Sequence, residues 1–274
     1  MIMHKYKNKE LNKKLIHPKE RILFKLVTFI TILGGIISLS LPFWASDLFE
    51  EPSRVWEISG FVILSWFTIV YFLGKQYAST RANAIKITKT QFPEVYDIIE
   101  DYSRKLEFKK VPNAYVIQEG GVLNAFAASF FKTNFIQINI DIFEVAYREH
   151  KDLNSLAFVI AHEMAHIKMR HTKISYNYLT SLGNLIPLLG QALSRAREYT
   201  CDQHALYLCP EGKEGLILLS AGKHLYKKID METYIQEAQE QKGFFIWLVN
   251  SLSSHPVMIK RMKALIDEKP GKLF

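Results

Sequence analysis

Two stretches of this chain carry no charged residue over lengths that match the thickness of a membrane: residues 26–46, 21 in a row, and residues 58–74, 17 in a row. A helix rises about 1.5 Å per residue and the hydrocarbon core of a bilayer is about 30 Å thick, so both runs read as spanning helices. Trp44, Trp56, Trp66 and Tyr71 lie within or near their ends, where aromatic side chains settle at the membrane–water boundary. A cleaved signal peptide would account for the first run alone. That run is long, has no small-residue cleavage site and is followed by the second.

The flanks set an orientation. Residues 1–25 hold eight Lys or Arg against Glu10 and Glu20, a net +6 out of the chain's +8. The short connection carries Asp47, Glu50, Glu51, Arg54 and Glu57, and Lys75, Arg81, Lys86 and Lys89 follow the second run. Positive flanks stay inside, which places both ends in the cytoplasm of a multi-pass protein of a cell (inner or plasma) membrane. Only about +2 (8 minus 6) belongs to the remainder, so no nucleic-acid partner is expected. The lipid bilayer is the expected partner, with the tail able to rest on anionic headgroups. The chain thus divides into a basic cytoplasmic tail (1–25), a two-helix transmembrane hairpin (26–74), a linker (75–90) and a body (91–274).

Within the body, Phe92, Val95, Ile98, Ile99, Tyr102 and Leu106 recur at helical spacing, with Pro93 where a first turn tolerates it. Residues 113–118, 123–129 and 134–140 are short, partly alternating runs separated by Glu119-Gly120-Gly121 and Lys132-Thr133, which predicts a small antiparallel sheet. Residues 214–228 and 231–241 read as helices. The apolar run 244–249, six residues long, is too short to span and is expected in the core, with a membrane-facing wall as the other reading. The fold class is α+β, mostly helical.

The chemistry lies in His162-Glu163-Met164-Ala165-His166. On a helix the two histidines stand one turn apart on one face and can share a metal ion, with Glu163 beside them. Zinc suits this pair, the glutamate serving as base toward water whose pKa the metal lowers from about 15.7 towards 7. Chance could place such a pattern on a solvated face, but residues 153–160 ahead of it are uncharged and largely apolar, and a buried imidazole needs a partner. A third ligand at the spacing His-x-x-Gly-x-x-His would need glycine at Met169 and histidine at Thr172. His171 is one position early and, without a glycine to turn the chain, is expected to be exposed in the last turn, facing the negative end of the helix dipole. A later helix offers Glu198 instead, 32 residues past His166 (198 minus 166), and one turn beyond it Asp202, able to accept from the far nitrogen of a ligand histidine. Standing alone, Arg195, Arg197, Glu198 and Asp202 would be an ordinary charged helix surface. Cys201 and Cys209 fit a reducing compartment and packing roles.

These residues, with Asn124-Ala125-Phe126-Ala127 upstream and Ser254-His255-Pro256 and Arg261 near the end, resemble in order and spacing the integral membrane zinc peptidases of the HtpX and CAAX prenyl protease type, over roughly residues 90–268. The resemblance implies a zincin-like metallopeptidase domain with one Zn2+ per chain on His162, His166 and Glu198, Glu163 as base, and a polypeptide substrate, membrane proteins included. It also implies that Asn124, Ala125, Phe126 and Ala127 form an edge strand pairing with extended substrate, and that His255 helps hold the transition state. On the residues alone, a structural hairpin and a helix-entrance cap account for the same segments. Larger relatives are expected to carry spans between their histidines and glutamate. Here residues 174–194 are uncharged but too few for two spans, and one span would carry Glu198 across about 30 Å of hydrocarbon. A helical hairpin or loop returning to the same side, dipping into the interface, is predicted. A non-catalytic membrane-anchored zinc-binding scaffold is the alternative function, although three ligands with an open position favour an enzyme.

Overall fold

In a computed structural model, which describes residues 13–45, 51, 53–118, 123–148, 150–240 and 242–274, both apolar runs are helices. The first twelve residues of the basic tail, the acidic connection at 46–50 and 52, and the Glu119-Gly120-Gly121 turn lie outside the described residues. Helix α1 (Glu20–Trp44) and helix α2 (Ser53–Asn83) pack side by side, tied where Ser59 Oγ donates to the Ser38 carbonyl at 2.5 Å. Only 17% of the most apolar window of α1 and 11% of that of α2 are buried, too little for the core helices of a soluble domain. Phe29, Ile36, Phe61 and Phe67 instead face outward, and length and composition make both helices candidate membrane spans.

The start of α1 and the end of α2 both enter the body. Helix α2 runs on through residues 75–83, part of the stretch read as a linker, and plants its last turns on the sheet. There Tyr77 stacks on Phe130 with ring centroids 5.4 Å apart, and Thr80 Oγ1 donates to Gln137 Oε1 at 2.6 Å.

Four strands form that sheet: β1 (Ile85–Lys86), β2 (Asn113–Ile117), β3 (Ala125–Phe130) and β4 (Thr133–Asn139), in the order β1-β2-β4-β3. The expectation of an antiparallel sheet needs correcting, because β2 and β4 run parallel while the other two pairings are antiparallel. Burial explains the order. Phe135 to Asn139 of β4 are all buried, which calls for neighbours on both sides, whereas a meander in chain order would leave β4 at an edge. The hairpin therefore folds with β4 inward and β3 outermost.

Helix α3 (Pro93–Lys105) buries Val95, Ile99 and Tyr102, the stripe its periodicity foretells, and a short helix, α4 (Ile140–Phe143), follows the sheet. These pack around helix α5 (Leu153–Lys168), whose residues 155–167 are all buried. Asp152 starts it, its carboxylate accepting from the Ser155 amide (3.0 Å) and hydroxyl (2.7 Å). Helices α6 (Ile174–Thr180), α7 (Leu189–Leu208), α8 (Leu218–Leu225), α9 (Met231–Glu240), α10 (Phe244–Leu252) and α11 (Met258–Ile266) complete the chain. Helix α10 departs from the core role expected for residues 244–249: Phe244, Phe245 and Val249 are exposed, and its polar Asn250 and Ser251 are the buried positions.

Residues 174–194 do return to the side they left. After α6 the chain makes a tight turn at Gly183–Leu185 and enters α7, and this turn is wedged against α1. Tyr178 Oη donates to the Trp66 carbonyl (3.0 Å) and the Gly183 amide to Thr31 Oγ1 (2.9 Å). A Cβ at Gly183 would stand 2.6 Å from the Val27 carbonyl oxygen, so a side chain forces the turn off α1. Gly183→Ala is expected to cost about 1–3 kcal/mol through overpacking, read as a lowered thermal midpoint in detergent; an unchanged midpoint would show that the turn is not seated there.

Candidate metal centre

Helices α5 and α7 pack face to face, and their contact carries the centre. Being one turn apart on α5, His162 and His166 present their Nε2 atoms 3.3 Å from each other. From α7, Glu198 brings Oε2 to 3.4 Å from His162 Nε2 and Oε1 to 3.5 Å from His166 Nε2. A tetrahedral zinc ion with bonds of about 2.0–2.1 Å has ligand–ligand edges of about 3.3–3.4 Å, so the two imidazoles, each facing its own oxygen of the Glu198 carboxylate, stand at spacings a zinc ion could bridge. The donor set fits the metal.

Electrostatics points the same way. Burial opposes a charge on His162, yet Asp202 and Glu198 override it and raise its pKa to about 10. Burial, helped by the neighbouring His162 and His171 and opposed by Glu198, drops His166 to about 3, leaving that imidazole neutral. The pocket therefore wants positive charge between His162 and Glu198, and a cation there replaces a proton with neutral imidazole donors. A second grouping, His166, His171 and Cys201, is also close enough to hold a metal. Burial pushes the Cys201 thiol well up and away from the thiolate a metal requires, so the first grouping is the better site.

Asp202 lies one turn beyond Glu198 with Oδ1 2.9 Å from His162 Nδ1. Its own charge is met by Arg261 of α11, which donates Nε to Oδ2 (2.8 Å) and an Nη2 hydrogen to Oδ1 (2.6 Å). Burial would raise the Asp202 carboxyl; the adjoining guanidinium holds it below the usual range. Glu163 is buried too, next to the centre. Burial pushes its carboxyl up to about 7, against the pull of His162 and of the Ala127 amide, which puts a proton acceptor near neutral working conditions.

The centre opens into a cleft of about 500 Å³ whose opposite wall is the edge strand, with Asn124, Ala125, Phe126 and Ala127 lining it. Ser129 and Thr172 hydroxyls, 2.6 Å apart, pin β3 to the segment leaving α5. His255 also lines the cleft, 64% exposed, with Nε2 3.7 Å from Glu198 Oε1 and Nδ1 3.1 Å from Ser254 Oγ. It sits in the turn ahead of α11, which begins only at Met258, and so is not on a helix entrance as its place before Pro256 suggests.

Three residues here escape the sequence reading. His171 is buried, not exposed: Arg170 adopts the left-handed conformation (φ 64) usually left to glycine, at a cost of about 1–2 kcal/mol. The His171 amide then bonds back to the His166 carbonyl (3.0 Å) and the ring folds under the helix end. Glu20, at the head of α1, reaches His171 Nε2 at 3.1 Å. Arg195 is fully buried instead of forming a charged surface, donating to the carbonyls of Leu273, Ser251 and Ser253. The signal for Glu20 was its place, an acidic residue where a basic flank meets an apolar run; for His171 and Arg195 the sequence offered none.

Arg261→Met would strand the buried Asp202 carboxylate, and a loss of about 3–5 kcal/mol in unfolding free energy is expected. Adding Asp202→Asn should restore part of it, which a thermal or denaturant titration of the metal-free protein would read.

A family model described as peptidase family M48 matches residues 89–182 and 173–269, which together take in strands β2, β3 and β4 and helices α5, α7 and α11. Neither a curated protein sequence nor a solved structure matches the chain.

Proposed function

This chain belongs to peptidase family M48, the family of HtpX and CAAX protease-like zinc metallopeptidases, and from that premise we propose that it is a membrane-anchored zinc endopeptidase. Metallopeptidase chemistry follows from the family; the zinc, the residue roles and the membrane setting are this reading's additions. The observation that carries it is the grouping of His162, His166 and Glu198, with the two Nε2 atoms 3.3 Å apart and facing separate oxygens of the carboxylate at 3.4 and 3.5 Å, Glu163 beside them and an edge strand across the cleft.

His162, His166 and Glu198 would hold one zinc ion. When bound, zinc supplies a Lewis acid that polarises a carbonyl and brings the pKa of water near 7. Glu163 takes a proton from the attacking water as its oxygen bonds to the scissile carbonyl carbon. When the C–N bond breaks, Glu163 returns that proton to the departing amine. Asp202 accepts from His162 Nδ1 and so keeps its Nε2 lone pair aimed at the centre. His255, exposed at the rim, is placed to donate to the developing oxyanion. An extended substrate adds beside β3 at Asn124 to Ala127, using the outward main-chain groups of the edge strand.

The membrane setting rests on α1 and α2, whose body-facing ends lie on one side. The positive flanks support a cytoplasmic side for the tail and body in this reading, with membrane proteins awaiting processing or quality control as the expected substrates.

Glu163→Gln is expected to keep zinc while losing about 10²- to 10⁴-fold in turnover of a casein-type or membrane-protein substrate. Chelation should abolish wild-type cleavage and added zinc restore it. A protein that binds zinc at this centre yet never cleaves would be the scaffold instead, and wild-type turnover by Glu163→Gln would remove the glutamate from the mechanism. Alkaline extraction is expected to leave the protein in the membrane pellet; release into the supernatant would overturn the anchoring.

A further inference from the structure

The two ligand imidazoles of the centre are held differently. His162 meets a carboxylate directly, Asp202 of the neighbouring helix. His166 turns its Nδ1 to another imidazole, His171 Nδ1 at 3.1 Å, and behind that ring stands Glu20, Oε1 3.1 Å from His171 Nε2. The second oxygen of Glu20 accepts from the Thr200 hydroxyl, on α7 between Glu198 and Asp202. All of these side chains are buried.

Proton placement along this chain has one consistent solution. For His166 to offer Nε2 as a lone pair, its hydrogen must sit on Nδ1, where His171 Nδ1 is the acceptor. The hydrogen of His171 then belongs on Nε2, where the Glu20 carboxylate accepts it, and Thr200 fills the remaining carboxylate oxygen. Each donor faces an acceptor, and the run ends on a charge. Reversing it would aim two N–H groups at each other or leave the carboxylate unmet in an apolar setting.

We infer that Glu20 and His171 are positioning residues for the metal ligand His166, so that the first candidate membrane span is a built part of the metal centre. This rests on the zinc reading above. Two locally unfavourable choices serve the same contact. Arg170 takes a left-handed backbone that brings His171 inward, and an acid heads an apolar helix whose flank is otherwise basic. Sequence separation is no guide to this unit, since Glu20 lies 151 residues from the ring it holds. Ligand imidazoles backed by a carboxylate have a fixed tautomer and ring orientation and bind metal more tightly.

The test uses the full chain in detergent, with zinc affinity measured by chelator competition, the thermal midpoint of the metal-free protein as a folding control, and the absorption bands of the cobalt-substituted centre as a report on ligand geometry. Glu20→Gln, which keeps the shape and removes the charge, and His171→Phe, which removes the acceptor, are each expected to weaken zinc binding about 10- to 100-fold and to shift the cobalt bands. His171→Gln, whose amide oxygen can accept from His166 Nδ1, should recover part of the loss, and it decides the matter with Glu20→Gln if His171→Phe does not fold. A purely structural role predicts a lower thermal midpoint with unaltered affinity and spectrum. That result, in a wild-type background that binds zinc, overturns this inference alone. A wild-type chain that takes up no zinc at His162, His166 and Glu198 overturns the centre and this inference with it.

Discussion

Charge buried between two helices is the constraint from which the rest of the molecule follows. Glu198, Asp202, Arg261, Glu163 and the histidines of α5 lie out of water, and an isolated buried charge costs several kcal/mol after relaxation. None can be left alone. Asp202 therefore stands against both His162 and Arg261, which fixes α11 against α7; Glu198 stands between two imidazoles, which fixes α7 against α5. The relative placement of three helices is set by pairing charges as much as by apolar packing. The same pairing groups His162, His166 and Glu198 closely enough to hold a metal ion.

Around that point the fold supplies surfaces of opposite character. One wall is a helix buried from Ser155 to Ile167, which holds His162 and His166 on one face. The other is an edge strand, whose outward main-chain groups are left unpaired by the sheet. The Glu163 carboxylate already takes the Ala127 amide of that edge, so the strand and the histidine helix meet across the cleft. The hydroxyl contact between Ser129 and Thr172 joins the two walls, so the strand and the end of the histidine helix hold a common distance.

What could be read from the sequence was what depends on local periodicity. A His pair one turn apart, a Glu and an Asp one turn apart, and a stripe from Phe92 to Leu106 all follow from 3.6 residues per turn. The helical character of the two apolar runs follows from their length. Strand order did not, because alternation shows that a run is a strand without naming its neighbours; the burial of Phe135 to Asn139 decides that, and burial is a property of the finished fold. His171 departs from its expected exposure because Arg170, and not only a glycine, can reverse the chain, at a modest energetic cost. Arg195 looked like surface charge because the carbonyls it satisfies, at Ser251, Ser253 and Leu273, come from distant turns with no pattern of their own. The apolar run at 244–249 misled for the opposite reason: hydrophobicity marks what avoids water, and does not say whether protein or lipid takes its place.

Helix α2 does not end where its apolar stretch ends. At 31 residues it is a rod of about 46 Å, longer than a hydrocarbon core, and its far turns press on Phe130, Phe135 and Gln137 of the sheet. In a bilayer whose thickness departs from its apolar length such a rod tilts. The tilt has a lever's consequence at the other end, since the turns at Tyr77 and Thr80 move with the rod and the strand pair they rest on borders the cleft. Were α2 to span a bilayer, its tilt and the position of the strands bordering the cleft would be joined by one stiff element.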